Sequence, residues 1–97
     1  MALQEFSLEP KEFPPVKTFY RIIKTKIPVP ESMPFLEKLW SSEPRSMHCE
    51  PPIVWKKAEG FQVFDPYGNK WLDWSCGVLV TSAGHNHPKI VKALKYY

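Results

Sequence analysis

The chain has 97 residues, 43% of them hydrophobic and 14% aromatic, with thirteen Lys and Arg against ten acids for a formal charge of +3. The basic residues are scattered, as at Lys24 and Lys26, Lys56 and Lys57, and Lys89, Lys92 and Lys95, without a stripe interleaved with stacking aromatics, which argues against a nucleic-acid surface. No apolar run approaches the ~20 residues of a membrane span, and Gln4, Glu5 and Glu9 stand where a signal peptide needs positive then apolar residues, so a cytoplasmic protein is expected.

Nine of the eleven prolines fall in the first 52 positions. Residues 1 to 50 therefore read as a proline-rich arm with one short helix, and the globular part as beginning at residue 51. Pro10, Pro14 and Pro15 predict extended or irregular backbone over residues 1 to 15. From Val16, the spacing of Phe19, Tyr20, Ile23 and Ile27 fits one helical face, whereas the β-branched residues and Pro28 fit an extended arm, and both readings stay open. Ser32 is the expected N-cap of a helix to about Trp40 or Ser42, with Met33, Leu36 and Trp40 on one face and Pro44 blocking continuation. Pro44 to Pro52 has linker character, and Ile53-Val54-Trp55 predicts a short β run.

The stretch from Gly60 to Pro88 organises the rest. Phe61, Val63 and Asp65 alternate with Gln62 and Phe64, and Trp71, Asp73 and Ser75 with Leu72 and Trp74, which is the period of two that a pleat imposes. Between them Asp65-Pro66-Tyr67-Gly68-Asn69 places an Asx residue, a fixed-φ proline and a permissive glycine at turn spacing, so a hairpin is predicted. Its five aromatics need a surface that two strands cannot supply. The run from Ser75 to Ala83, broken by Gly77, predicts a buried, close-packed turn. After His87, Pro88 at the first helical position opens a helix with Ile90, Leu94 and Tyr97 as its apolar stripe. No closing signal follows before Tyr97, and an N-terminal fragment of a larger protein is expected.

Chemistry-bearing side chains are few. His85, His87, His48, Cys49 and Cys76 lack the paired spacing that aims two ligands at one ion, so no metal site is expected. Asp65 and Asp73 fit turn and packing roles better than an acid–base pair. Two cysteines without secretory context fit free thiols better than a disulfide. Trp55 with Trp71 or Trp74 across a strand-turn-strand leaves an alternative open, a free-standing aromatic-lined interaction module.

The order Glu59-Gly60-Phe61-Gln62-Val63-Phe64-Asp65-Pro66-Tyr67-Gly68-Asn69-Lys70-Trp71-Leu72-Asp73-Trp74, then Gly77-Val78, then Gly84-His85-Asn86-His87-Pro88 and the helix after it, closely resembles the N-terminal region of class III pyridoxal-phosphate-dependent aminotransferases. These are the ornithine, acetylornithine and 4-aminobutyrate group, and the resemblance covers about residues 51 to 97. It implies an α/β enzyme of the fold-type-I class, a homodimer with active sites at the interface, moving an amino group from an amino acid or ω-amino donor to a 2-oxo acid through pyridoxal phosphate. Neither nucleic acid nor membrane is expected as a partner. The chain itself would be an α+β N-terminal fragment, with an arm over 1 to 50 and, over 51 to 97, the truncated small domain whose hairpin lines the substrate entrance.

Carried over residue by residue, Val78, after Gly77, matches a substrate-facing position that is often aromatic or branched aliphatic, and valine there offers shape rather than a hydrogen bond. Val78 and Gly77 are thus the candidate substrate-binding residues. His48 lies near where some members place a substrate-contacting tyrosine, and His85 and Pro88 match structural motif positions. The Schiff-base lysine, the aspartate on the pyridine nitrogen, the stacking aromatic and the phosphate cup are expected beyond Tyr97. No catalytic or cofactor-binding residue is expected in this chain, since none of its eleven lysines stands in a matching context.

Overall fold

In the computed structural model, which describes residues 6 to 97 apart from the side chains of His48 and Cys49, the chain divides into two units. One holds the described residues up to Pro15 together with Thr25–Val54, and the other holds Val16–Lys24 with Trp55–Tyr97.

The first unit is built around α1 (Met33–Ser42), which a 3-10 turn over Pro30–Ser32 leads into. Ser32 sits at the N-cap position but does not cap: its hydroxyl donates to the Val29 carbonyl at 2.7 Å. Pro34 in the first turn lacks an amide proton, so one of the donors a cap would satisfy is absent. Leu36 is buried, whereas Phe35 and Leu39 remain exposed. Pro44 ends the helix as expected, with Glu43 already extended, and Arg45–Cys49 forms a 3-10 turn within the expected linker.

The second unit is an antiparallel sheet in the order β1-β2-β5-β4-β3, with β1 Val16–Lys17, β2 Ile22–Ile23, β3 Lys57–Glu59, β4 Gln62–Phe64 and β5 Lys70–Leu72. Of the two readings for residues 16 to 27, the extended one holds. Thr18 closes the β1–β2 turn by accepting at Oγ1 from the Arg21 amide and sending its own amide to the Arg21 carbonyl.

The predicted hairpin is β4 and β5, in register Gln62↔Leu72, Val63↔Trp71 and Phe64↔Lys70. Its turn is held by one carboxylate. Asp65 Oδ1 accepts from the amides of Tyr67 and Asn69, each at 2.9 Å, and Oδ2 accepts from Asn69 Nδ2 at 2.7 Å. Asn69, 1% exposed, then accepts from the Lys24 amide through Oδ1, tying the turn to the end of β2. Gly68 takes the positive φ, +91°, that the turn demands.

Three expectations change. Strand three begins at Lys57 rather than at Ile53, because Gly60 (φ +56°) makes a tight turn and β4 offers only three residues before Pro66. Among the described residues no strand pairs with Ile53 to Trp55. Second, β5 stops at Leu72, so Trp74 is off the sheet and 88% exposed, with Phe61 50% exposed. The described residues do not supply the surface that the aromatics call for. Third, the turn after Ser75 is not buried, since Val78, Leu79 and Val80 all face solvent.

The chain ends in α3 (Pro88–Tyr96), opened as expected by Pro88. His87 caps it, with Nδ1 accepting from the Lys89 amide at 3.2 Å. Ile90, Leu94 and Tyr97 form an exposed stripe.

Asp65→Ala strips two backbone amides and the Asn69 side chain of their acceptor in a buried turn. A loss of about 2–4 kcal/mol in local stability is expected, measured as faster amide exchange across β4 and β5. Pro66→Ala, which touches none of these bonds, should change it by less than about 1 kcal/mol.

Candidate functional site

Directly after β5 the chain reaches Asp73, whose amide donates to the Phe61 carbonyl at 2.7 Å and so keeps it on the sheet. Its side chain is 6% exposed and gathers four donors. Oδ1 accepts from the Ser75 amide at 3.1 Å and the Ser75 hydroxyl at 3.0 Å; Oδ2 accepts from the Gly77 amide at 2.9 Å and from His85 Nε2 at 2.6 Å. A carboxylate can only accept, so the ring nitrogen carries the proton in that bond. The His85 bond is the main reason that the Asp73 carboxyl titrates below the usual aspartate range; burial pushes the other way, and the Ser75 and Gly77 donors add to the lowering.

What these donors fix is α2 (Cys76–Leu79), a single helical turn of the left hand. Its φ angles are +54° at Cys76, +57° at Gly77, +63° at Val78 and +66° at Leu79. For L-residues this handedness costs roughly 1–2 kcal/mol each, and three of the four are not glycine. The backbone bonds that close the turn run from Leu79 to the Ser75 carbonyl and from Val80 and Thr81 to the Cys76 carbonyl, all at 2.9 Å. Cys76 is a free thiol.

His85 is held as firmly as Asp73. Its amide and carbonyl pair with those of Gly60, at 2.7 and 2.9 Å, and a Cβ on Gly84 would lie 3.1 Å from the Gly60 Cα. That approach needs glycine. The Trp55 ring stands edge-on to the imidazole at 5.6 Å between centroids, and the imidazole is 11% exposed. Asn86, also at positive φ, donates to the Ala58 carbonyl.

Of the candidate substrate-binding residues, Gly77 lies half-buried under the turn and Val78 is 69% exposed on it. Tyr20, Phe61, Leu72, Asp73 and Trp74 line an apolar groove of about 400 Å³ that neither of them lines. Tyr20 joins it from the β1–β2 turn and meets Phe61 edge-on at 5.3 Å, which residue spacing gave no means of foreseeing. The His48 side chain lies outside the described residues. Asp65 and Asp73 sit at opposite ends of β5 in separate networks and form no acid–base pair. Among the described residues no group of three or more His, Cys, Asp or Glu is arranged to hold a metal ion.

A lysine that forms a Schiff base needs a desolvated pocket. Ten of the eleven lysines are exposed, and Lys70, half-buried, spends its ammonium on the Phe19 carbonyl at 3.0 Å. The residues of this chain do not fit pyridoxal phosphate.

The family model described as aminotransferase class-III matches residues 44–96. An ornithine aminotransferase from Brevibacillus brevis is 52% identical over 44 residues, which is 45% of this chain and 11% of that protein. The mitochondrial ornithine aminotransferase of Oryza sativa is 43% identical over 44 residues, 45% of this chain and 9% of its own length. A probable mitochondrial acetylornithine aminotransferase from Schizosaccharomyces pombe is 43% identical over 47 residues, 48% of this chain and 11% of its own length. The matches thus span about a tenth of the length of these relatives. No solved structure matches the chain.

Because the folded Asp73 carboxyl titrates low, its network stabilises α2 fully above the unfolded aspartate pKa of about 3.9. That contribution is lost as pH falls through the lower folded value. Carbon-detected titration of Asp73, with the Gly77 amide shift as reporter, should give a midpoint below that of a free aspartate. Asp73→Asn should abolish the transition at Gly77.

Proposed function

Since the chain belongs to the class-III aminotransferase family, we propose that it is the N-terminal portion of an enzyme that moves an amino group from an amino acid or ω-amino donor to a 2-oxo acid. Bound pyridoxal phosphate supplies the electron sink for such chemistry. Its lysine, ring partners and phosphate cup belong to residues outside this chain, in a fold-type-I α/β protein that works as a homodimer. This chain contributes α+β structure of the small domain.

The observation that carries this reading is the continuity of the match. It runs through the β4–β5 hairpin, the Asp73 network, α2, the His85 bridge to Gly60 and into α3, so the match takes in the whole hydrogen-bonded loop between Asp73 and His85. The role assigned to the chain is a wall of the substrate entrance. Val78 and Gly77 supply its contact: α2 presents an exposed apolar side chain at Val78, and Gly77 takes the positive φ beside it without a Cβ. An apolar wall recognises the methylene part of a donor and leaves its charged ends to other residues. The names of the relatives, ornithine and acetylornithine aminotransferases, support a donor with an amino group at the end of a short aliphatic chain.

The purified full-length protein is expected to absorb in the near-visible region as a pyridoxal-phosphate enzyme, and to transfer the amino group of ornithine to 2-oxoglutarate. Absence of both cofactor absorbance and transfer to any common 2-oxo acid would remove the reading. The 97-residue chain alone should bind no pyridoxal phosphate in equilibrium dialysis.

A further inference from the structure

The bond between Asp73 and His85 joins two points that are each fixed to the same sheet. Asp73 is attached through its amide to Phe61, and His85 through a two-bond bridge to Gly60, the next residue along. Between them run residues 74 to 84, which include the left-handed turn with Val78 and Leu79 exposed on it. Three backbone bonds close this turn, but they do not remove the cost of its hand. Its backbone conformation is unfavourable at Cys76, Val78 and Leu79, and it persists where surrounding contacts over-determine it.

The contacts that do so converge on one carboxylate. Ser75 and Gly77 bind it at the entrance of the turn, and His85 binds the same oxygen as Gly77 from below. The imidazole also floors the turn, since a Cβ on Gly77 would lie 3.6 Å from His85 Cε1. Without the His85 donor, Oδ2 keeps the Gly77 amide and Oδ1 the two Ser75 donors, but the carboxylate loses its one tie to the far end of the loop. The turn then loses its fixed direction while the sheet beneath keeps its pairing.

We propose that Asp73 and His85 are a positioning pair that locks α2 in its left-handed course and thereby fixes where Val78 meets the amino donor, an inference that rests on the reading of Val78 as substrate-facing. The pair acts through the turn and touches no substrate. His85 has its Nε2 on Asp73 and its ring almost covered, which leaves it no path to a reacting atom. The predicted consequence is on discrimination between donors, since a misplaced Val78 weakens contact with a long aliphatic donor and leaves a short one indifferent.

The test is steady-state kinetics of the full-length enzyme with ornithine and with alanine as donors. His85→Phe, which keeps a ring but removes the donor, should lower the ornithine-to-alanine ratio of kcat/KM about 10-fold, the scale of a small misfit in an apolar pocket. His85→Gln, which can still donate to Asp73, should restore much of it. Val78→Ala should change the same ratio, and Val78→Ala combined with His85→Phe should behave as Val78→Ala alone, because the two act on one contact.

Equal losses for both donors in His85→Phe, or a fall in thermal midpoint with the ratio unmoved, would overturn the pair while the reading of Val78 stands. If Val78→Ala leaves the ratio unchanged, the reading of Val78 fails and the inference fails with it. Should His85→Phe not fold, Asp73→Asn decides: it takes the carboxylate charge from the bond to His85, and a fall of the ratio in the same direction supports the pair, whereas no shift overturns it.

Discussion

The loop that follows β5 depends on one carboxylate whose side chain is almost covered. Asp73 follows the end of β5, and the start of α2 and the loop returning through His85 both meet it there with hydrogen-bond donors. Four buried hydrophobic residues are found among those described, two in each unit, so packing alone does not define the backbone here. Charge-assisted hydrogen bonds are directional and about twice as strong as neutral ones, and they can specify a turn that apolar burial would leave loose. The Asp65 turn uses the same device at the other end of β5.

How much of this was legible depends on whether the cause was local. The β4–β5 hairpin was readable because its turn is written in five consecutive residues, and each of Asp65, Pro66 and Gly68 acts where it stands. The start of α3 was readable for the same reason at His87 and Pro88. The β1–β2 hairpin and β3 were not, because a strand of two or three residues exists only through its partner. Ile53-Val54-Trp55 has the better β composition, yet Gly60 sets the register and gives the pairing to Lys57–Glu59. Tertiary pairing overrides propensity at that scale.

The left-handed turn was hidden for a different reason. Ser75 to Leu79 reads as an apolar run with one glycine, and the period of such a run says nothing about the hand of a backbone. The cause lies twelve residues apart in sequence, at Asp73 and His85. A carboxylate followed at short range by a serine and a glycine was the one local sign, since both supply amides that an Asx residue can bind. The exposure of Val78, Leu79 and Val80 likewise could not be inferred from composition, which by itself favours burial.

The residue at 78 bears on what the turn is for. If only the turn mattered, glycine or asparagine would hold a φ of +63° at much lower cost, and a β-branched residue in that region is an outlier. Burial does not offset the cost, because Val78 is 69% exposed in this chain. The backbone there is therefore held against the preference of its own side chain by a network that begins at Asp73. Such strain at an exposed apolar residue supports a role for the side chain outside the fold, and an apolar contact with a donor is the role we propose for it.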